Sequence, residues 1–313
     1  MSAGPQMITL EQATWAFIDA APRKHTAPWG VRFVKAAMAG VLLSLGGTLV
    51  QVLSADPWLT TNAPGLLKLI QASYFPIGLV MIVLLQADLV TGNMAIFIAG
   101  TVKRKVPIWA FLVDWSLCFI GNLIGALVYA VFIVHFGTLY TPAMSMGAAN
   151  IANAKVVSVN FREVFLRGIG CNYAVVAAVF LASLGKDVIS KIVASYLPIL
   201  FFVGAGYEHV VANMFLVIEG LLTKESNATV GRYIWNSIIP SFLGNILGAA
   251  FFILPLVYIH GRDEFNPANF DLPTTSHDER AKIGGGSPDG TFAGPQDHNE
   301  QWRKDVEKTA AAQ

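Results

Sequence analysis

The hexapeptide ASYFPI at 72–77 returns as ASYLPI at 194–199, so the chain holds an internal repeat of about 120 residues in strongly apolar sequence. The same spacing pairs DLVTGNM at 88–94 with EHVVANM at 208–214, and GNLIGA at 121–126 with GNILGA at 244–249. Each copy is a hydrophobic unit interrupted by a polar, Gly- or Pro-bearing stretch. Repeats of that kind place a binding site or pore between them, near mid-bilayer.

Composition fixes the environment. Hydrophobic residues make up 54% of the 313 and charged residues 13%, about half the charged share of a soluble domain. The net charge of +1 conceals an asymmetry: residues 261–313 hold ten of the twenty acids and six of the twenty-one bases, which leaves fifteen bases against ten acids in 1–260. No basic stripe is present, so nucleic acid is excluded as a partner. The two cysteines, Cys118 and Cys171, fall in apolar runs and read as reduced thiols. The N-terminus lacks the pattern of a cleaved signal peptide, no metal-ligand set stands out, and no cofactor motif is found.

Apolar runs near 33–53, 66–85, 108–134, 164–184, 191–218 and 234–259 are each long enough to cross a bilayer. Six spans give three per repeat, and an odd number per copy inverts the second relative to the first. The expected fold is an all-α membrane protein of two inverted three-helix repeats, with the second and fifth helices broken. Nine basic residues (Arg23, Lys24, Arg32, Lys103, Arg104, Lys105, Lys186, Lys191 and Arg262) flank one side and four (Lys155, Arg162, Lys224 and Arg232) the other. That bias sets both termini in the cytoplasm. Three regions follow: 1–30, with an amphipathic helix over 9–20 begun by a Thr9/Gln12 capping box; the transport domain 31–260; and a polar tail, 261–313, expected to be disordered. The short helix is expected on the membrane surface, packing on the bundle being the alternative. Gly121 to Gly125 and Gly244 to Gly248 read as close helix contacts, within or between subunits.

Polar residues inside spans are costly and therefore candidates for function. Lys35, Lys68 and Glu219 sit near enough to span ends to snorkel, and Asp114 reads as a local pairing or capping residue. Glu208 and His209 differ: they lie mid-run, just after Gly204, Ala205 and Gly206, where a helix can break. A broken helix at membrane depth is tolerated only against protein or a cavity. His209 is the one histidine expected near the bilayer centre, and Thr91, in the matching break of the first copy, can bond to it. A lone buried histidine is commonly structural; its place in a repeated break argues for function. Lys155 on residues alone is an ordinary loop lysine, and Asn172 follows Cys171 inside the fourth span.

Three segments in this order, DLVTGNM at 88–94, RGIGCNY at 167–173 and GYEHVVANM at 206–214, resemble the formate/nitrite transporter family across roughly 10–260, and the polar tail makes the chain look most like its fungal nitrite-transporting branch. The resemblance implies an aquaporin-like six-helix protomer, assembled as a homopentamer with one path per subunit. It implies an outer constriction at Phe75 and Phe202, an inner one at Leu79, Leu89, Val90 and Val175, and a polar centre at Thr91 and His209. Lys155 then lies on the outer approach and Asn172 beside the histidine, and Glu208 and Asn213 complete the expected substrate pathway. Val90, Gln86 and Tyr173 depart from the usual family residues, which bears on the width of the inner constriction.

The function expected is proton-linked transport of small monovalent anions, nitrite with formate also accepted, across the plasma membrane, using the central histidine. The alternative is a passive channel for small neutral solutes or water. A membrane enzyme using Glu208 and His209 lacks any second catalytic cluster.

Overall fold

The computed structural model describes residues 7–262; the expectation for the tail beyond Arg262 lies outside them. In chain order the helices are α1 (Leu10–Thr26), α2 (Trp29–Leu53), α3 (Pro57–Asn62), α4 (Pro64–Tyr74), α5 (Ile77–Leu84), α6 (Val90–Val102) and α7 (Ala110–Val128), the last widening into a π-helical turn over Tyr129–His135. The second half comprises α8 (Pro142–Val156), α9 (Phe161–Leu184), α10 (Val188–Ala205), α11 (Val210–Leu222), α12 (Val230–Tyr233) and, beyond a π segment at Ile234–Ile238, α13 (Ile239–His260). Six of these helices or continuous helix runs are long and apolar enough to cross a membrane.

α6 and α11 are not among the six. Each has 13 residues, which at 1.5 Å per residue spans about 20 Å, short of a hydrocarbon core of about 30 Å. Each follows a backbone break, and the breaks occupy equivalent positions: Gln86 at φ 52° in the first copy and Gly206 at φ 76° in the second. Only glycine takes such a φ freely, so the first copy holds its turn with a strained residue. The two long broken helices foreseen at the second and fifth spans are therefore α4–α5 followed by α6, and α10 followed by α11.

Two asparagines hold the breaks open in matching fashion. In α7 the Asn122 amide donates to the carbonyls of Ala36 (2.8 Å) and Asp88 (2.9 Å) while its oxygen accepts from the Val90 N–H (2.9 Å). In α13 Asn245 donates to Gly168 (2.8 Å) and Glu208 (3.1 Å) and accepts from Val210 N–H (3.0 Å). Both side chains are fully buried. Backbone groups freed by a break find no water in a bilayer core; each carboxamide satisfies two of them, one carbonyl and one N–H, and ties the break to a neighbouring helix, α2 through Ala36 or α9 through Gly168.

The Gly-x-x-x-Gly pairs pack inside the subunit. A Cβ at Gly125 would fall on the Ala37 carbonyl of α2, and one at Gly248 on the Ile169 carbonyl of α9. The repeat also extends one helix beyond the three spans. α1 packs on α6 where Gly100 meets Ala21, and α8 packs on α11 where Gly220 meets Ala152, so each copy starts with a lead helix that covers its own half-helix.

α1 begins with the foreseen capping box, Thr9 N–H to Gln12 Oε1 (2.9 Å) and Gln12 N–H to Thr9 Oγ1 (3.2 Å). It continues through Pro22 to Thr26 and packs one face on the bundle. Ala13, Phe17, Ile18 and Ala21 are buried, and the Phe17 ring packs at a tilt against Phe180 of α9 with centroids 5.4 Å apart.

Candidate functional site

His209 is the N-cap of α11: its Nδ1 accepts the Ala212 N–H at 3.1 Å. An accepting Nδ1 carries no hydrogen, so the neutral ring is the Nε2–H tautomer. Nε2 lies 3.0 Å from Thr91 Oγ1 and donates to it. Thr91 stands in the first turn of α6, so this single contact brings the N-termini of both half-helices together at the centre of the molecule. Helix N-termini carry partial positive charge and exposed N–H groups. The centre thus presents two positive helix ends and no formal charge.

Apolar side chains close the path on either side of the histidine. The rings of Phe75 and Phe202 meet edge to face with centroids 5.9 Å apart, and Phe202 lies 5.9 Å from the imidazole. Beneath them a cavity of only about 10 Å³ is lined by Leu43, Leu79, Leu89, Val175, Ile199 and His209 together with both phenylalanines. That is about the space of one water molecule, so any larger species requires the aromatic rings to move. Val90 does not line this cavity. Its peptide N–H is the group held by Asn122.

Above Phe75 and Phe202 opens a vestibule of about 220 Å³. Glu208 lies in its wall, 4% exposed, with Oε2 accepting from Lys155 Nζ at 2.7 Å and from Asn213 Nδ2 at 2.9 Å. Lys68 of α4 and Arg167 of α9 line the same vestibule. The repeat-related acid, Asp88, pairs with Lys24 of α1, so each lead helix sends one lysine to the acid at the break of its own copy. Behind Asp88, Arg32 binds Asp114 at 2.8 Å, and Asn93 donates to the other carboxylate oxygen at 3.2 Å.

Two expected pathway residues stand behind the path. Asn172 is fully buried and its amide donates to the carbonyls of Asn245 (2.8 Å) and Thr91 (3.1 Å). Asn213 bridges Glu208 and Ser237 Oγ (3.0 Å). Neither lines the vestibule or the central cavity. Glu219, expected to snorkel, is instead 2% exposed, on the half-helix covered by α8. Sequence reasoning missed the backbone duty of Asn122 and Asn245 although both were visible as repeated polar residues within spans. It also counted Lys24 only as a topology charge and Arg167 only as part of a motif.

The sequence profile of the formate/nitrite transporter family matches residues 11–259. An uncharacterized transporter of Saccharomyces cerevisiae is 32% identical over 257 residues, which cover 81% of this chain but only 40% of the yeast protein's own length. A probable formate transporter of Methanothermobacter thermautotrophicus is 32% identical over 249 residues, 75% of this chain and 90% of that one. Among solved structures, an ion channel of the same family superposes with a TM-score of 0.70 at 24% identity, covering 79% of this chain and 98% of that one. A pentameric formate channel with formate bound gives 0.66 at 22% identity, covering 74% and 96%. With its half-helices meeting at His209 and its family profile spanning both repeats, the chain is a multi-pass membrane protein of the transporter and channel class, not an enzyme, and belongs to the formate/nitrite transporter family.

Proposed function

We propose that this protein carries small monovalent anions, nitrite and also formate, across the plasma membrane in company with a proton. The observation that carries the reading is the meeting of two half-helix N-termini at the Thr91–His209 contact, between apolar constrictions and below a cation-lined vestibule. Positive helix ends at membrane depth favour an anion, and the vestibule concentrates anions at the mouth. The narrow cavity opposes passage of the bare charge, because an unpaired ion loses its hydration there at great cost, whereas a neutral acid loses far less. Nitrite and formate are conjugate bases of weak acids, so each can cross the constriction as the neutral acid and leave as the anion.

Geometry limits how His209 takes part. In its capped position the imidazole offers Nε2–H as a donor, to Thr91 or to a substrate oxygen. A second proton belongs on Nδ1, which faces the Ala212 N–H, so the ring must leave the cap to relay a proton. Otherwise the proton rides with the substrate and His209 orients it. Names of relatives support formate as a substrate; the preference for nitrite rests on the likeness to the fungal branch. Assembly as a homopentamer is supported by the pentameric neighbour, and cytoplasmic termini by the nine-to-four bias of basic residues.

Initial uptake of labelled nitrite and formate into proteoliposomes under imposed pH gradients tests this directly. Saturable uptake that rises with an inward proton gradient is expected; uptake indifferent to pH would overturn proton linkage. The apolar lining of the central cavity favours a second reading, a passive path for small neutral solutes. It predicts fast osmotic water or solute flux and no saturation by nitrite.

A further inference from the structure

The vestibule holds three cationic side chains and one carboxylate. Lys155 and Glu208 form an ion pair at 2.7 Å and largely cancel as seen by an approaching ion. Lys68 and Arg167 remain, and among the described residues neither has a hydrogen bond or ion pair. Lys68 precedes Gln71 and Phe75 on one face of the broken second span, at i, i+3 and i+7. Its Cε lies 3.9 Å from where a Cβ would stand on Gly206, the left-handed residue that breaks α10. Its ammonium is therefore carried to the break that leads into Glu208 and His209. Arg167 comes from α9, one residue before Gly168, whose carbonyl Asn245 holds.

We infer that Lys68 and Arg167 form an anion-capture subsite in the vestibule, which takes a monovalent oxyanion of the size of nitrite or formate before it passes Phe75 and Phe202, while Lys155 acts chiefly to neutralise Glu208. The inference rests on the anion-transport reading above and names the charges that serve it. Cations in a concave site with apolar walls focus the field and raise the local anion concentration and capture rate. Loss of one of two net charges lowers capture and leaves the passage through the aromatic constriction as it was. KM should therefore rise with little change in the maximal rate. Salt should erode the difference, because exposed charges are screened over about 10 Å at 0.1 M.

The test compares initial nitrite and formate uptake against concentration in proteoliposomes for the full chain, Lys68→Gln, Arg167→Gln, Lys68→Arg and the double Gln variant, at low and high ionic strength. Each Gln variant is expected to raise KM about three- to tenfold at low salt, the double variant more, with maximal rates within about twofold and Lys68→Arg near wild type. Unchanged KM in both single variants, or a fall in maximal rate alone, overturns the subsite. A second readout needs no transport. Both native cysteines are buried, so a cysteine at the exposed vestibule position Ala154 can report the local potential through its rates with negatively and positively charged thiosulfonates. Adding Lys68→Gln and Arg167→Gln should lower the ratio of the anionic to the cationic rate about tenfold or more. If wild-type protein transports neither anion, the transport reading fails while this ratio still decides the subsite; an unmoved ratio overturns it in every case.

Discussion

Replacing Lys155 with Gln leaves Glu208 as a buried carboxylate whose remaining partner is the Asn213 amide. Removing one member of a buried ion pair costs about 3–5 kcal/mol; with Lys155 still 18% exposed at its side chain, water softens this to roughly 2–3 kcal/mol. The same change drops the vestibule's net charge by one and leaves a negative charge beside the path. Lys155→Gln should therefore both destabilise the protein and cut uptake at low substrate about tenfold or more. Glu208→Gln frees the ammonium and should not lower capture. The decisive variant is the double, Lys155→Gln with Glu208→Gln, which restores charge balance and removes the unpaired carboxylate. It should recover thermal stability to within about 1 kcal/mol of wild type and uptake to within about threefold, a coupling of the size found for close charge pairs. The assays are thermal unfolding in detergent and initial uptake of nitrite at fixed pH and equal protein density. A double variant no better than Lys155→Gln would refute the reasoning: the lysine would then act on the substrate itself, by position or as a proton donor. Lys155→Arg, which keeps the charge but exchanges a compact ammonium for a planar fork, should fall between wild type and Gln.

Replacing His209 with Phe removes the α11 cap and the central donor while keeping an apolar plug, so uptake should vanish with membrane insertion intact; normal uptake by a well-inserted variant would end the case for the histidine. Thr91→Val deletes one hydrogen bond, worth about 0.5–1.5 kcal/mol, and should slow uptake by no more than about tenfold. Asn245→Ala strands the Val210 N–H and the Glu208 carbonyl at the break, at about 1–3 kcal/mol each; a large fall in unfolding temperature is expected, and an unchanged one would show that the break is held by something else. Gln86→Gly relieves a left-handed conformation that costs a side chain about 1–2 kcal/mol but loosens the unfolded chain by about 0.5–1 kcal/mol, so a slight gain in unfolding temperature is expected and a clear loss would contradict the strain at φ 52°.

What could be read from the sequence depended on whether a duty is repeated. A path through a membrane has two mouths and one middle. Features needed at both ends therefore occur in both copies: Gln86 and Gly206 at the turns, Asn122 and Asn245 on the freed backbone, Asp88 and Glu208 with Lys24 and Lys155. The middle needs its chemistry once. The residue that caps α11 is His209, and the residue at the same place before α6 is Leu89, which offers no polar group. His209 was legible as the one histidine expected near the bilayer centre and because it lies in a break that both copies share. The asparagines were visible as polar residues kept in both copies, yet composition cannot tell a polar group that faces a path from one that holds backbone. Asn172 shows the difficulty: expected beside the histidine, it has its amide engaged by the carbonyls of Thr91 and Asn245. Extending the repeat by its lead helices would have found more, since Lys24 stands before α2 as Lys155 stands before α9. It also sets Lys35 against Arg167, one residue before the carbonyls of Ala36 and Gly168 that the two asparagines hold. Cations placed equivalently on both faces are what a carrier needs if it must receive the same anion from either side.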